Sequence, residues 1–163
     1  MEVYFDNAAT TKIIPEVREI MLETLDEEYG NPSSMHLKGV GAEKYIRYAK
    51  NVISRQLKCE PKEIIFTSGG TESNNLALMG IALANKRAGS HIITTGIEHA
   101  SVYNPVLHLQ DMGFRVTFLK VDRNGKVDLE DLKQSLCEDT ILVSTMAAVS
   151  YTHLRAHETS AHL

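Results

Sequence analysis

The chain has 163 residues, 43% of them hydrophobic and 23% charged, with a formal net charge of −4. A chain of this length buries roughly 70% of its surface on folding, so a core is possible, and the composition excludes a disordered tail or a disulfide-dense mini-protein. The acidic balance argues against a broad nucleic-acid footprint. Cys59 and Cys137 form no CxxC pattern, so neither a disulfide framework nor a zinc site is signalled. The start, MEVYFDNAAT, is neither a basic leader nor a long apolar run, and a cytoplasmic location is expected.

The first element predicted is a helix after Pro15. Val17, Ile20, Met21, Thr24 and Leu25 fall at helical spacing, and the helix should stop near Gly30-Asn31-Pro32. GNPSSMHLKG (30–39) reads as a polar loop. A second helix is marked by Tyr45, Ile46, Ala49, Val52, Ile53 and Leu57. From residue 63 strands and helices alternate. EIIFTS (63–68) reads as a strand buried on both faces, 71–87 as a helix, HIITT (91–95) as a strand and 100–112 as a helix. RVTFLKV (115–121), the turn DRNG, a short helix at 128–136 and TILVSTM (140–146) complete the pattern. Strands separated by helices imply βαβ units, hence an α/β fold with a mostly parallel sheet. A sheet ending on TILVSTM would be an aggregation hazard.

Chemistry is best sought at the strand-to-helix turns, which share the carboxyl edge of a parallel sheet. SGGTES (68–73) is one such turn. Its glycines allow close backbone approach, Thr71 can cap the following helix, and a helix N-terminus attracts an anion such as phosphate. A plain capped turn explains the same residues equally well. The second candidate is Glu98-His99, where an imidazole could stack on a flat ring or move a proton. For a lone histidine, helix capping is the commoner role. DNAATT (6–11) and His36 also stand out, each with an ordinary loop as the simpler explanation. His153 and His157 lack the intervening glutamate of a zinc motif. Nothing basic is predicted beside either cysteine, so both are expected to be structural.

Taken in order, YFDNAATT, GNPSSMH, EIIFTSGGTESNN, HIITTGIEHASV, DRNGKVDLEDL and DTILVSTMAA resemble the pyridoxal-phosphate cysteine desulfurases, over residues 3 to 148. GNPSS-x-H and the IEH segment are more similar to the NifS/IscS-like branch than to the SufS-like branch. The resemblance implies the class V aminotransferase fold group: a large fold-type I cofactor domain, a smaller domain and a homodimer. It implies removal of sulfur from L-cysteine to leave alanine, with a persulfide passed to an iron–sulfur scaffold or another sulfur acceptor. It further implies that Gly70 and Thr71 hold the cofactor phosphate and that His99 stacks on the pyridine ring and aids proton transfer. Asn7 and His36 would lie near the active-site edge, with no assigned role.

Residues 1–30 are then expected to pack with the small domain, and 31–148 to form the first half of the large domain. The family's Schiff-base lysine and sulfur-accepting cysteine have no counterpart here, and no lysine follows Lys133. The chain as printed should be inactive. VSYTHLRAHET, from Val149, can be written in codons that match a transposase-type sequencing adapter, so 149–163 is expected to be a non-native tail. Two other readings are a selenocysteine lyase or related carbon–sulfur lyase, and a non-enzymatic phosphate-ligand or partner-binding module, which needs the tail to be genuine.

Overall fold

The computed structural model describes residues 3–7 and 10–146. The adapter-like tail, with His153 and His157, lies outside the described residues. Contacts divide the chain into two units, one on each side of the Phe66–Thr67 bond.

In the first unit, α1 spans Pro15–Asp26 with Pro15 in its first turn. It stops before Gly30. Asp26, Glu27 and Glu28 place negative charge at the helix C-terminus, where the peptide dipoles disfavour it. Its apolar residues Val17, Ile20, Met21 and Leu25 are all exposed. α2 spans Leu37–Leu57, so the segment read as a loop already contains its first turn. The cause is His36, which is the N-cap: its Nδ1 accepts from Gly39 N–H at 3.2 Å. A Cβ on Gly39 would sit 2.2 Å from the Ser34 carbonyl oxygen, and one on Gly30 would sit 2.3 Å from that of Lys38. The glycines of this segment therefore serve close chain packing. α2 closes at Lys58, which is left-handed (φ 54°), and Cys59 N–H donates to the Ser54 carbonyl.

Ile64-Ile65-Phe66 is not a strand, contrary to expectation. A 3-10 turn (Pro61–Glu63) leads into irregular chain, and Ile65 and Phe66 are exposed. A strand persists only as part of a hydrogen-bonded ladder, and the sheet does not include these residues.

The second unit contains α3 (Gly70–Asn85), β1 (His91–Thr95), α4 (Ala100–Asp111), β2 (Arg115–Leu119), α5 (Leu129–Ser135) and β3 (Thr140–Val143). The sheet order is β2-β1-β3, all parallel, with Ile93 opposite Thr117 on one side and Val143 on the other. β1 is central and every one of its residues is buried. Alternation along the strand sends Ile92 into a core with Ala82 of α3, Leu109 of α4 and Phe114. Leu78, Val102 and Val106 extend that core along the α3–α4 contact. β2 and β3 are shorter than predicted and are the edges of the described sheet. No helix among the described residues is long and apolar enough to cross a membrane.

Candidate functional site

The starts of α3 and α4 are joined by a hydrogen bond from Asn74 to Ser101, although no strand among the described residues leads into α3. α3 begins at Gly70, with Gly69 as N-cap, so Thr71 lies inside the first turn and is not the cap. No side chain caps α3, so the capping role expected of Thr71 is not taken up; the Glu72 carboxylate instead folds back onto Ser68, ahead of the N-cap. Glu72 Oε2 accepts from Ser68 N–H at 2.7 Å and from Ser68 Oγ at 2.6 Å. These bonds hold Glu72 below the usual carboxylate range. With Ser68 N–H already engaged, an anion at this turn would meet the N–H groups of Gly70 and Thr71. Such first-turn donors have no intrahelical partner. A Cβ added at Gly69 or Gly70 would meet nothing within 4 Å, so the turn faces open space.

His99 is the N-cap of α4. Its Nδ1 accepts from Ser101 N–H at 3.1 Å and lies 2.8 Å from Ser101 Oγ. Because Nδ1 accepts, the neutral ring carries its proton on Nε2. Asn74 Nδ2, from the second turn of α3, donates to the same Ser101 Oγ at 2.8 Å. The relay Asn74–Ser101–His99 ties the start of α3 to the start of α4. It sets Asn74, one turn beyond Gly70 and Thr71, against Ser101 of the His99 cap, while the imidazole stays exposed. Capping and an open ring are compatible, since the cap uses only Nδ1. Asn74 and Ser101 were not singled out in the sequence. The spacing His-x-Ser at a helix start is a cap pattern that could have shown one of them.

Asn7 and His36 belong to the first unit. Asn7 is exposed in a turn beside the Asp6 carbonyl, which accepts from Thr10 N–H. His36 is engaged as the cap of α2.

The reading of Cys137 requires correction. Its Sγ lies 3.0 Å from Arg115 Nη2, 3.4 Å from Thr140 Oγ1 and 3.5 Å from His91 Nδ1. Hydrogen bonds from Thr140 and Arg115 lower the thiol below its ordinary value. Arg115 is 22 residues away in sequence, which is why the linear reading placed no cation there. Cys59, in the first unit, is half-buried.

A three-stranded parallel sheet with helix N-termini converging on its carboxyl edge is a partial α/β fold matching a fragment of the pyridoxal-phosphate fold-type I enzymes. Residues 3–153 match the family model "Aminotransferase class-V", and the chain belongs to that family. It is 49% identical over 147 residues to the cysteine desulfurase IscS of Dictyoglomus turgidum, covering 90% of this chain and 37% of that relative. It is 48% identical to cysteine desulfurase IscS 1 of Archaeoglobus fulgidus, covering 89% and 38% respectively. Among solved structures, a NifS-like protein superimposes with a TM-score of 0.86 at 42% identity, over 91% of this chain and 41% of that one. SspA in complex with cysteine superimposes with a TM-score of 0.80 at 34% identity, over 87% and 41%. The chain thus spans well under half the length of these relatives.

Proposed function

We propose that this chain is part of a pyridoxal-phosphate-dependent cysteine desulfurase. The full-length protein would take sulfur from L-cysteine and leave alanine. The observation that supports this reading is the Asn74–Ser101–His99 relay, which links the start of α3 to an exposed imidazole. Homology to IscS and NifS-like proteins supplies the reaction class, and a relative solved with cysteine supports the substrate.

Residues of the described site fit the cofactor. The N–H groups of Gly70 and Thr71 would hold its phosphate, and the open space at Gly69–Gly70 leaves room for a close approach. His99 would lie against the pyridine ring. With Nδ1 held by Ser101, its free Nε2 is the atom that can hold or pass a proton. When bound, pyridoxal phosphate supplies the electron sink for the substrate's developing carbanion. Ser101 and Asn74 hold the imidazole in place.

The domain assignment follows from this reading: 1–30 packs with a small domain, 31–148 opens the cofactor domain, and 149–163 is non-native. A homodimer, a cytoplasmic location and delivery of sulfur to an iron–sulfur scaffold or another acceptor protein complete it. The chain by itself would release no sulfide, because no lysine follows Lys133 and neither cysteine matches the family's sulfur acceptor.

A chimera tests the reading. Residues 3–146 would replace the matching segment of the Dictyoglomus turgidum relative. Sulfide release from L-cysteine, reduced at least about ten-fold by His99→Ala, is the expected result. A folded, cofactor-loaded chimera that releases none would overturn the proposal.

A further inference from the structure

Glu98 has the site's most constrained carboxylate, and no role follows for it from the cofactor contacts above. It is buried, with 6% of its surface exposed. Its Oε1 accepts from Thr95 Oγ1 at 2.6 Å. Its two oxygens also accept from Met146 N–H, at 3.2 and 3.1 Å.

The strand register shows what these bonds replace. Ile93 and Val143 are partners in the parallel β1–β3 ladder, and Ser144 N–H donates to the Ile93 carbonyl at 2.9 Å. Two residues further on, a regular parallel ladder would bring Met146 N–H to the Thr95 carbonyl. Instead β1 ends at Thr95 and the chain turns through Gly96 toward α4. The Glu98 carboxylate stands in for the missing main-chain acceptor. Immediately beside it, His99 N–H donates to Met146 Sδ at 3.2 Å. Met146 is thus held to the β1–α4 turn through both its main chain and its side chain, one residue apart on that turn.

We propose that Glu98 is a positioning residue: its carboxylate continues the strand ladder past the end of β1, keeps Met146 against the turn, and thereby fixes where His99 presents its ring. This rests on the reading of His99 as the ring-facing residue of the site. A side-chain oxygen suits the position because Oε1 accepts from both Thr95 Oγ1 and Met146 N–H. Gln retains one accepting oxygen, and Met fills the volume with none.

The test uses the full 163-residue chain, labelled with ¹⁵N, in wild-type, Glu98→Gln and Glu98→Met forms. Solvent exchange of the Met146 amide and the His99 ring nitrogen shifts are followed together. In Glu98→Met, exchange should accelerate about ten-fold or more, the scale of losing a hydrogen bond to a charged group. The His99 shifts should move toward those of an imidazole averaging its tautomers. Glu98→Gln should restore both signals to near wild type, with exchange within about three-fold. Faster Met146 exchange with unchanged His99 shifts would overturn the proposal, because the carboxylate would then only close the strand end. Wild-type behaviour in both variants would overturn it as well, as would a Gln variant no better than Met.

Should Glu98→Met not fold, Thr95→Val takes its place, since it removes the hydroxyl that orients the carboxylate. Both signals should then move in the same directions by a smaller amount, and no movement in either overturns the proposal. Neither signal involves a cofactor. Sulfide release by the chimera, with and without His99→Ala, tests the underlying reading separately.

Discussion

The two ends of the sheet handle their polar groups in opposite ways. At the amino edge the groups close on one another. His91 is fully buried, with Nδ1 2.8 Å from Thr140 Oγ1 and Nε2 2.8 Å from Thr117 Oγ1. Asp139 accepts from Ser90 N–H and Ser90 Oγ and lies 3.6 Å from Arg115. At the carboxyl edge the buried Glu98 is also engaged, but the bonds at the two helix starts leave groups over. The cap on His99 uses Nδ1 and leaves Nε2, and the bond at Ser68 leaves the N–H groups of Gly70 and Thr71. The difference follows from chain direction. In a parallel sheet the carboxyl edge receives helix N-termini, which bring unpaired donors, while the opposite edge receives strand starts. One edge closes its polar groups on one another, and the other keeps donors at helix starts.

Four substitutions would break or sharpen this contrast. The largest effect should come from His91→Ala, which empties a buried site and strands two threonine hydroxyls. It should destabilise the chain by about 3 kcal/mol in denaturant unfolding. The same histidine predicts a pH dependence. Burial, and next the Arg115 charge, push the folded-state imidazole below its ordinary value. The unfolded chain therefore takes up the proton first as pH falls. Stability from this group is complete above about pH 6.5 and declines below it, until the folded-state value is passed. A plot of melting temperature against pH should lose that part of its slope in His91→Ala. An unchanged slope would mean that other groups carry the acid sensitivity.

His99→Ala should be milder, about 1 kcal/mol, the cost of losing a helix cap. If it proved as costly as His91→Ala, the contrast between the two edges would fail. Third, alkylation by iodoacetamide near pH 7.5 should favour Cys137 over Cys59, and Arg115→Gln should slow it about two- to five-fold. Equal rates in the Arg115 variant would remove the guanidinium as the cause. The smallest effect belongs to the phosphate turn. Inorganic phosphate should raise the melting temperature slightly, and Glu72→Gln should strengthen this by removing a negative charge from the first turn of α3. A weaker response in Glu72→Gln would mean that the Glu72–Ser68 bonds themselves shape the anion site.

Local chemistry determined much of this before any contact was known. Pro15 starts a helix, the short apolar run HIITT makes the central strand, and the strands separated by helices run parallel. Those inferences rest on periodicity and backbone preference, which act over a few residues. The ordered motifs named the family for the same reason, since each is a local signature. What the sequence could not carry were relations between distant residues. Ile64-Ile65-Phe66 has the side chains of a buried strand, but strand formation depends on a ladder partner elsewhere in the chain. The start of α2 moved because the His36 imidazole reaches forward three residues to cap it, and Thr71 lies inside the first turn of α3, which has no side-chain cap. Cys137 acquired its cation from β2, and Glu98 found its donor at Met146, 48 residues away. Hydrogen bonds and charges act over a few ångströms of space. Only the tertiary structure, by setting which distant groups come that close, decided what these residues do.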